Sequence, residues 1–361
     1  MRIGDKAYRT IWRGADGQTV EIIDQTQLPH DLAIVTLRTL DDAARAIRTM
    51  QVRGAPLIGV TAAYGMCLAL RADARDAAVA EAGRLLVAQR PTAVNLRWAV
   101  ERMQAAVMPL PPEERAAAAD ALADRLADED VETNRRIGVH GAALIAELAK
   151  RKKPGQAVNV LTHCNAGWLA TVDYGTALAP IFSAHDAGVP VHVWVDETRP
   201  RNQGAALTAF ELVSHGVPHT LVADNAGGHL MQQGLVDLCI VGADRVTANG
   251  DVCNKIGTYL KALAAYDTSV PFYVAIPGST IDWQMQSGRE VPIEQRSADE
   301  VLFMSGKAAN GEVVKVALAP PGTPARNDAF DVTPARLVTA LITENGVATA
   351  SANGLRELFP C

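Results

Sequence analysis

The rhythm of apolar positions changes twice along this 361-residue chain. Residues 8–40 hold short alternating runs between turn residues, such as Val20-Glu21-Ile22-Ile23-Asp24 and Leu32-Ala33-Ile34-Val35-Thr36-Leu37, and predict a small sheet. From Thr39 to about Ala149 the spacing becomes helical and rich in alanine and leucine. It is interrupted at Gly54-Ala55-Pro56, at Arg90-Pro91-Thr92 and at Pro109-Leu110-Pro111-Pro112. The stretch from Glu113 into Lys150 reads as one long helix or two abutting ones. It is acidic early and closes on Lys150-Arg151-Lys152-Lys153-Pro154-Gly155, cations and a stop signal that suit a helix C-terminus better than a partner site.

After Gly155 the pattern becomes strand, loop and helix repeated. Strands are predicted at 157–162, 190–195, 219–223, 236–241 and 271–276, with helices at about 166–187, 203–215, 226–233 and 254–267. The fold class this predicts is α/β: a Rossmann-like, doubly wound parallel sheet in the C-terminal domain, and a smaller, mostly helical N-terminal domain carrying a small antiparallel sheet. The expected division is 1–125, a connecting helix at 126–155, and 156–361. Nearly half the residues are apolar, enough for two cores.

Composition removes several functions. A net charge of −6 with no basic stripe argues against nucleic acid as a partner. The opening Met1-Arg2-Ile3-Gly4-Asp5-Lys6 lacks the apolar core of a signal peptide, and no run of about 18 or more apolar residues is expected that could cross a bilayer, so a cytoplasmic protein without a membrane partner is expected. Five cysteines, at 67, 164, 239, 253 and 361, have no C-x-x-C spacing and suggest reduced thiols. No G-x-G and no phosphate-loop motif occurs, so the Rossmann-like pattern carries no nucleotide fingerprint. His215 and His219 have ligand spacing, but Gly216 and Pro218 break the helix it would need. Neither a metal nor a cofactor is expected.

Ligands of open α/β sheets bind beyond the carboxyl ends of the strands. Those ends read His163-Cys164, Asp196-Glu197-Thr198-Arg199, Asp224-Asn225, Asp244-Arg245 and Pro277-Gly278. A free cysteine is commonly a small buried hydrophobe. Cys164, however, opens a polar loop, Asn165-Ala166-Gly167, at an expected helix N-terminus that would favour a thiolate or a bound anion. Asp244 follows the apolar run Val236-Asp237-Leu238-Cys239-Ile240-Val241, where a carboxyl is partly desolvated and suited to carrying a proton, unless it merely caps a turn or pairs with Arg245. Lys255, expected at the start of a helix, sits against the dipole and hints at a ligand anion. Arg53 beside Gly54, and Arg90, are two more cations in loops.

Six segments in order resemble the methylthioribose-1-phosphate isomerases, in the family shared with the regulatory subunits of eukaryotic translation initiation factor 2B and with ribose-1,5-bisphosphate isomerase. They are Val52-Arg53-Gly54-Ala55-Pro56, Arg90-Pro91-Thr92-Ala93-Val94-Asn95-Leu96, Thr162-His163-Cys164-Asn165-Ala166-Gly167, Asp196-Glu197-Thr198-Arg199-Pro200-Arg201-Asn202-Gln203-Gly204, Gly242-Ala243-Asp244-Arg245 and Asn254-Lys255-Ile256-Gly257-Thr258. The resemblance implies catalytic Cys164 and Asp244, with a phosphorylated sugar held by Arg53, Gly54, Ala55, Arg90, Gln203, Asn254 and Lys255. It also implies a homodimer joined through the sheet domain, and an aldose-to-ketose isomerisation of 5-methylthioribose 1-phosphate in methionine salvage. 5-Deoxyribose 1-phosphate would be a second substrate, since an apolar pocket discriminates weakly against a missing apolar group. The alternatives are a ribose-1,5-bisphosphate isomerase and a non-catalytic regulatory subunit.

Overall fold

A computed structural model describes residues 1–91 and 93–360. Thr92, within the expected break at Arg90-Pro91-Thr92, and the thiol of Cys361 lie outside the described residues. The organising element is a seven-stranded sheet. In spatial order its strands are Gly346–Ala348, Ala340–Thr343, Phe272–Ala275, Leu238–Val241, Val158–Thr162, Val191–Asp196 and His219–Val222. Neighbours pair in parallel except Gly346–Ala348, which folds back antiparallel on Ala340–Thr343. All five expected strands are present with ends within one or two residues of their predicted limits.

The chain leaves Val158–Thr162 toward one edge, reaching His219–Val222, then returns to Leu238–Val241 and builds toward the other edge. The strand order therefore reverses between Val158–Thr162 and Leu238–Val241, where a crevice opens at the carboxyl ends of an α/β sheet. All of Leu238–Val241 is buried, as expected for a central strand covered on both faces.

The N-terminal region joins an antiparallel sheet of Ile11–Arg13, Val20–Ile23 and Ile34–Leu37 to the helices Leu40–Arg48, Ala55–Ala72, Asp76–Gln89 and Val94–Val107. Thr39 and Asp42 form a reciprocal capping box that starts the first helix. Pro112–Ala149 is a single 38-residue helix that runs through residue 125 without a break. Its Leu122 and Leu126 share a core with Ile47, Leu57 and Met66, while Ile137 and Ile145 share one with the sheet residues Val160 and Val193.

Three expectations require correction. Residues 166–187 do not form a helix throughout: a short 3₁₀ turn, Trp168–Ala170, is separated by loop from the helix Ala179–Asp186. Residues 254–257 are not helical, because Val252–Lys255 is a strand paired antiparallel to Arg245–Thr247 and to Phe330–Thr333, and the helix Thr258–Asp267 begins only after Gly257 at φ 102°. Asp244 leads directly into Arg245–Thr247, a strand of this second, four-stranded sheet. Finally, among the described residues one helix, Ala55–Ala72, is long and apolar enough to cross a membrane by length and composition. It lies inside the protein, with Leu57, Ile58, Met66 and Leu68 in the core, so burial accounts for its character.

Candidate active site

The strand Val158–Thr162 delivers His163 and Cys164 to the crevice. Cys164 adopts the left-handed conformation, φ 65°, and so does the residue opposite it, Thr198, at φ 61°. Such conformations cost about 1–3 kcal/mol each for residues with a Cβ and persist only where surroundings over-determine them. Burial pushes the Cys164 thiol above its ordinary range, although Arg53 and Lys255 pull it back. The helix N-terminus expected to stabilise a thiolate is absent at this position, since Trp168–Ala170 is only a 3₁₀ turn. The resting form is the thiol.

Two buried carboxylates surround this loop. Glu211, 0% exposed, accepts the N–H groups of Trp168 (2.9 Å) and Leu169 (3.1 Å) and the side-chain amide of Asn165 (2.8 Å). A Cβ on Gly167 would collide with that carboxylate, so any other residue there would displace Glu211 from these bonds. These bonds fix the loop from Asn165 to Leu169 against Glu211, where the chain makes only the 3₁₀ turn Trp168–Ala170 before the helix Ala179–Asp186. Asn165 in turn holds Arg53: the guanidinium donates to Asn165 Oδ1 at 2.5 Å and to its backbone oxygen at 2.7 Å. Burial pushes the Glu211 carboxyl up to about 7, while the donors from Asn165, Leu169 and Trp168 oppose the shift.

The second carboxylate is Asp196. It accepts from His163 Nδ1 at 2.7 Å, from Lys261 Nζ at 3.0 Å and from Thr198 Oγ1 at 2.5 Å. Burial works against its ionisation, but His163, Lys261 and Thr198 outweigh it and hold the carboxyl below its usual range. His163, Asp196 and Asp224 are close enough together to suit a metal ion, yet Lys261 Nζ already contacts both carboxylates, at 3.0 and 3.3 Å. An ammonium group supplies the positive charge that an ion would bring.

Across the crevice, Asp244 follows Leu238–Val241, and its N–H donates to the carbonyl of Cys253 at 3.0 Å. Its sequence neighbour Arg245 reaches Asp282 at 3.3 Å. Cys164 and Asp244 line one small cavity of ≈ 30 Å³, together with Arg53, Gly54, Ala55, Asn254 and Pro277. Gly54, at φ 99°, precedes the helix Ala55–Ala72 without a side-chain cap, leaving first-turn N–H groups for an anion. An adjoining cavity, also ≈ 30 Å³, is lined by Gly54, Ala55, Asp244, Phe330 and Arg90. Lys255 is buried beside it: its Nζ donates to the carbonyl of Ala329 at 2.9 Å and stands 4.7 Å from the centre of the Phe330 ring.

The expected site residues thus gather at one crevice with two qualifications. Lys255 arrives from a strand end and not from a helix start, so the dipole argument for it fails although its placement suits the same purpose. Gln203 lies further out, lining with Arg53 a larger cavity of ≈ 540 Å³. Gln203 is 6% exposed, and its Oε1 has no partner among the described residues. No sequence motif marks Arg296, whose Nε bonds Glu294 at 2.8 Å while Arg90 reaches the same carboxylate at 3.3 Å. Glu211 likewise stands in no motif. Burial, then the nearby Arg296, push Lys255 down to about 8, and burial likewise lowers Arg90. The Nε of Arg90 has no partner among the described residues. A buried surplus of positive charge of this kind calls for an anion.

The model of the initiation factor 2 subunit family matches residues 51–350. The chain belongs to that family. A relative from Brucella anthropi, named methylthioribose-1-phosphate isomerase, is 62% identical over 361 residues, covering 100% of this chain and 99% of its own. One of the same name from Paramagnetospirillum magneticum is 63% identical over the same length. Among solved structures, the 5-methylthioribose 1-phosphate isomerase of Pyrococcus horikoshii superposes with a TM-score of 0.83 at 39% identity, covering 98% of this chain and 96% of that one. The delta subunit of translation initiation factor eIF-2B from A. fulgidus superposes with a TM-score of 0.79, also at 39% identity, covering 98% and 99%.

Proposed function

We propose that this crevice converts 5-methylthioribose 1-phosphate into 5-methylthioribulose 1-phosphate. The observation that carries the reading is that Cys164 and Asp244 line one cavity at the strand-order reversal, beneath an uncapped helix N-terminus and beside a buried cluster of cations. The names of the relatives at 62–63% identity support it. A regulatory-subunit function, the second reading, has the A. fulgidus structure in its favour. Against it stands the pairing of a thiol with a carboxylate in a cationic pocket, which a scaffold does not need.

The chemical difficulty is that the anomeric carbon bears phosphate, so no free aldehyde acidifies the proton on C2. The furanose ring must open with the phosphate attached. In this proposal Arg90, Lys255 and the N–H groups after Gly54 take the phosphate, and their binding energy orients the sugar. Asp244 gives its proton to the ring oxygen as the bond from that oxygen to C1 breaks, the C2 hydrogen then reaches C1 either with its electron pair or as a proton carried by the Asp244 carboxylate, and the O2 proton leaves as the C2 ketone forms. Because burial keeps Cys164 as the thiol, it serves better as a shaping group or hydrogen-bond donor near C2 than as a resting base. The cavity between Cys164 and Asp244 is small, and in this proposal the helical layer carrying Gly54 and Arg90 moves to admit substrate. That motion fits a division near residue 125 with the long helix as connector. A cytoplasmic homodimer acting in methionine salvage completes the reading.

Incubating the purified protein with substrate deuterated at C2 and following the product by NMR tests the function and its route together. The ketose is expected. Deuterium retained at C1 would indicate transfer within the substrate, and its loss would indicate a proton shared with water. No ketose at all would refute the assignment.

A further inference from the structure

We propose that Thr198 and Thr208 are positioning residues that clamp the backbone of Cys164 on both sides and so fix where its thiol points; this rests on the isomerase reading above. The N–H of Cys164 donates to Thr198 Oγ1 at 2.8 Å, and Thr208 Oγ1 donates to the carbonyl of Cys164 at 2.7 Å. The two hydroxyls come from different elements: Thr198 from the loop after Val191–Asp196, Thr208 from the helical segment that follows Gln203. Both are fully buried. Cys164 at φ 65° is held in a conformation it would leave if the peptide groups flanking it were free.

The direction of each hydrogen bond is set by a buried charge. Asp196 is ionised and therefore only accepts. The Thr198 proton must point to it, which turns an oxygen lone pair toward the Cys164 N–H. On the other side, Arg53 occupies Oδ1 of Asn165, so the amide nitrogen of Asn165 faces Thr208 Oγ1 at 3.2 Å. Thr208 accepts from it and gives its own proton to the Cys164 carbonyl. The buried group of Asp196 with His163 and Lys261, for which the proposed mechanism has no direct use, thus acts on the reacting centre through Thr198.

The test compares Thr198→Val and Thr208→Val, which keep the shape and remove the hydroxyl, with Thr198→Ser and Thr208→Ser, which keep the hydroxyl. Displacing a catalytic group by a fraction of an ångström to an ångström costs roughly 10- to 100-fold in rate. Each valine variant should lose that much kcat with KM within about threefold, and each serine variant should recover to within about threefold of the parent. Thr208→Ala serves in place of a valine variant that fails to fold. Folded variants lacking the hydroxyl whose kcat stays within twofold, or serine variants as impaired as the valine ones, would overturn the clamp. A Cys164→Ala control with undiminished turnover would instead remove the thiol from the reaction, and the clamp's purpose with it.

Discussion

The two walls of the crevice are built on opposite principles. On the Cys164 wall the buried polar groups other than Gln203 Oε1 are tied to protein: Glu211 holds Trp168, Leu169 and Asn165, Asn165 holds Arg53, and Asp196 holds His163, Lys261 and Thr198. On the wall of Arg90, Lys255 and Arg296 positive charge is buried in excess. Glu294 is shared by two arginines, Arg90 Nε has no partner among the described residues, and Lys255 is pushed down to about 8. Satisfied buried networks fix geometry, whereas unsatisfied buried charge is costly and is retained where a ligand completes it. The first wall positions a reacting group; the second awaits an anion.

Substitutions should separate the walls. Asp244→Asn, which removes the proposed proton carrier, should cut turnover by about 10²–10⁴-fold while leaving phosphate affinity nearly unchanged. An equal loss of phosphate affinity, by calorimetry, would erase the distinction. Arg90→Ala should do the reverse, weakening inorganic phosphate roughly 10- to 100-fold, as expected for a lost hydrogen bond between charged groups. Glu211→Gln turns one acceptor into a donor facing the N–H groups of the loop. Urea unfolding should show a loss of about 1–3 kcal/mol. A neutral result would mean that the Cys164 wall is not held by this carboxylate.

The smallest effect is on pH dependence. Lys255 is charged below about 8 and neutral above it, chiefly because burial disfavours its charge. Phosphate affinity should therefore weaken severalfold as pH rises through that value. For the unliganded protein the sign is opposite. Between about 8 and the ordinary lysine value of 10.5 the unfolded chain binds more protons at this residue than the folded one, so its contribution to stability rises with pH. Phosphate affinity that is flat from pH 7 to 9.5 would place Lys255 outside the anion site.

Much of this arrangement is legible in the sequence because strand ends concentrate chemistry. The apolar runs closing on Cys164 and Asp244 locate both walls, and their neighbourhood follows from a strand order that reverses between them. What is not legible is what tertiary contacts impose. Asn165-Ala166-Gly167 looks like a helix start, but the segment is a loop held by the distant Glu211, which stands in no motif. Asn254 and Lys255 look too polar for a strand, yet pairing with Phe330–Thr333 overrides their preference. Arg296 gave no local signal, because its meaning depends on Arg90, two hundred residues away along the chain and brought alongside through Glu294.

The central claim is that the sulfur of Cys164 and the carboxyl of Asp244 act as one unit on one substrate. Measuring kcat for 5-methylthioribose 1-phosphate with the parent, Cys164→Ser, Asp244→Asn and the double variant tests it most directly. Groups that work together show non-additive losses, so the double variant should be little slower than the worse single one. Losses that multiply, or a single variant that turns over like the parent, would contradict the account.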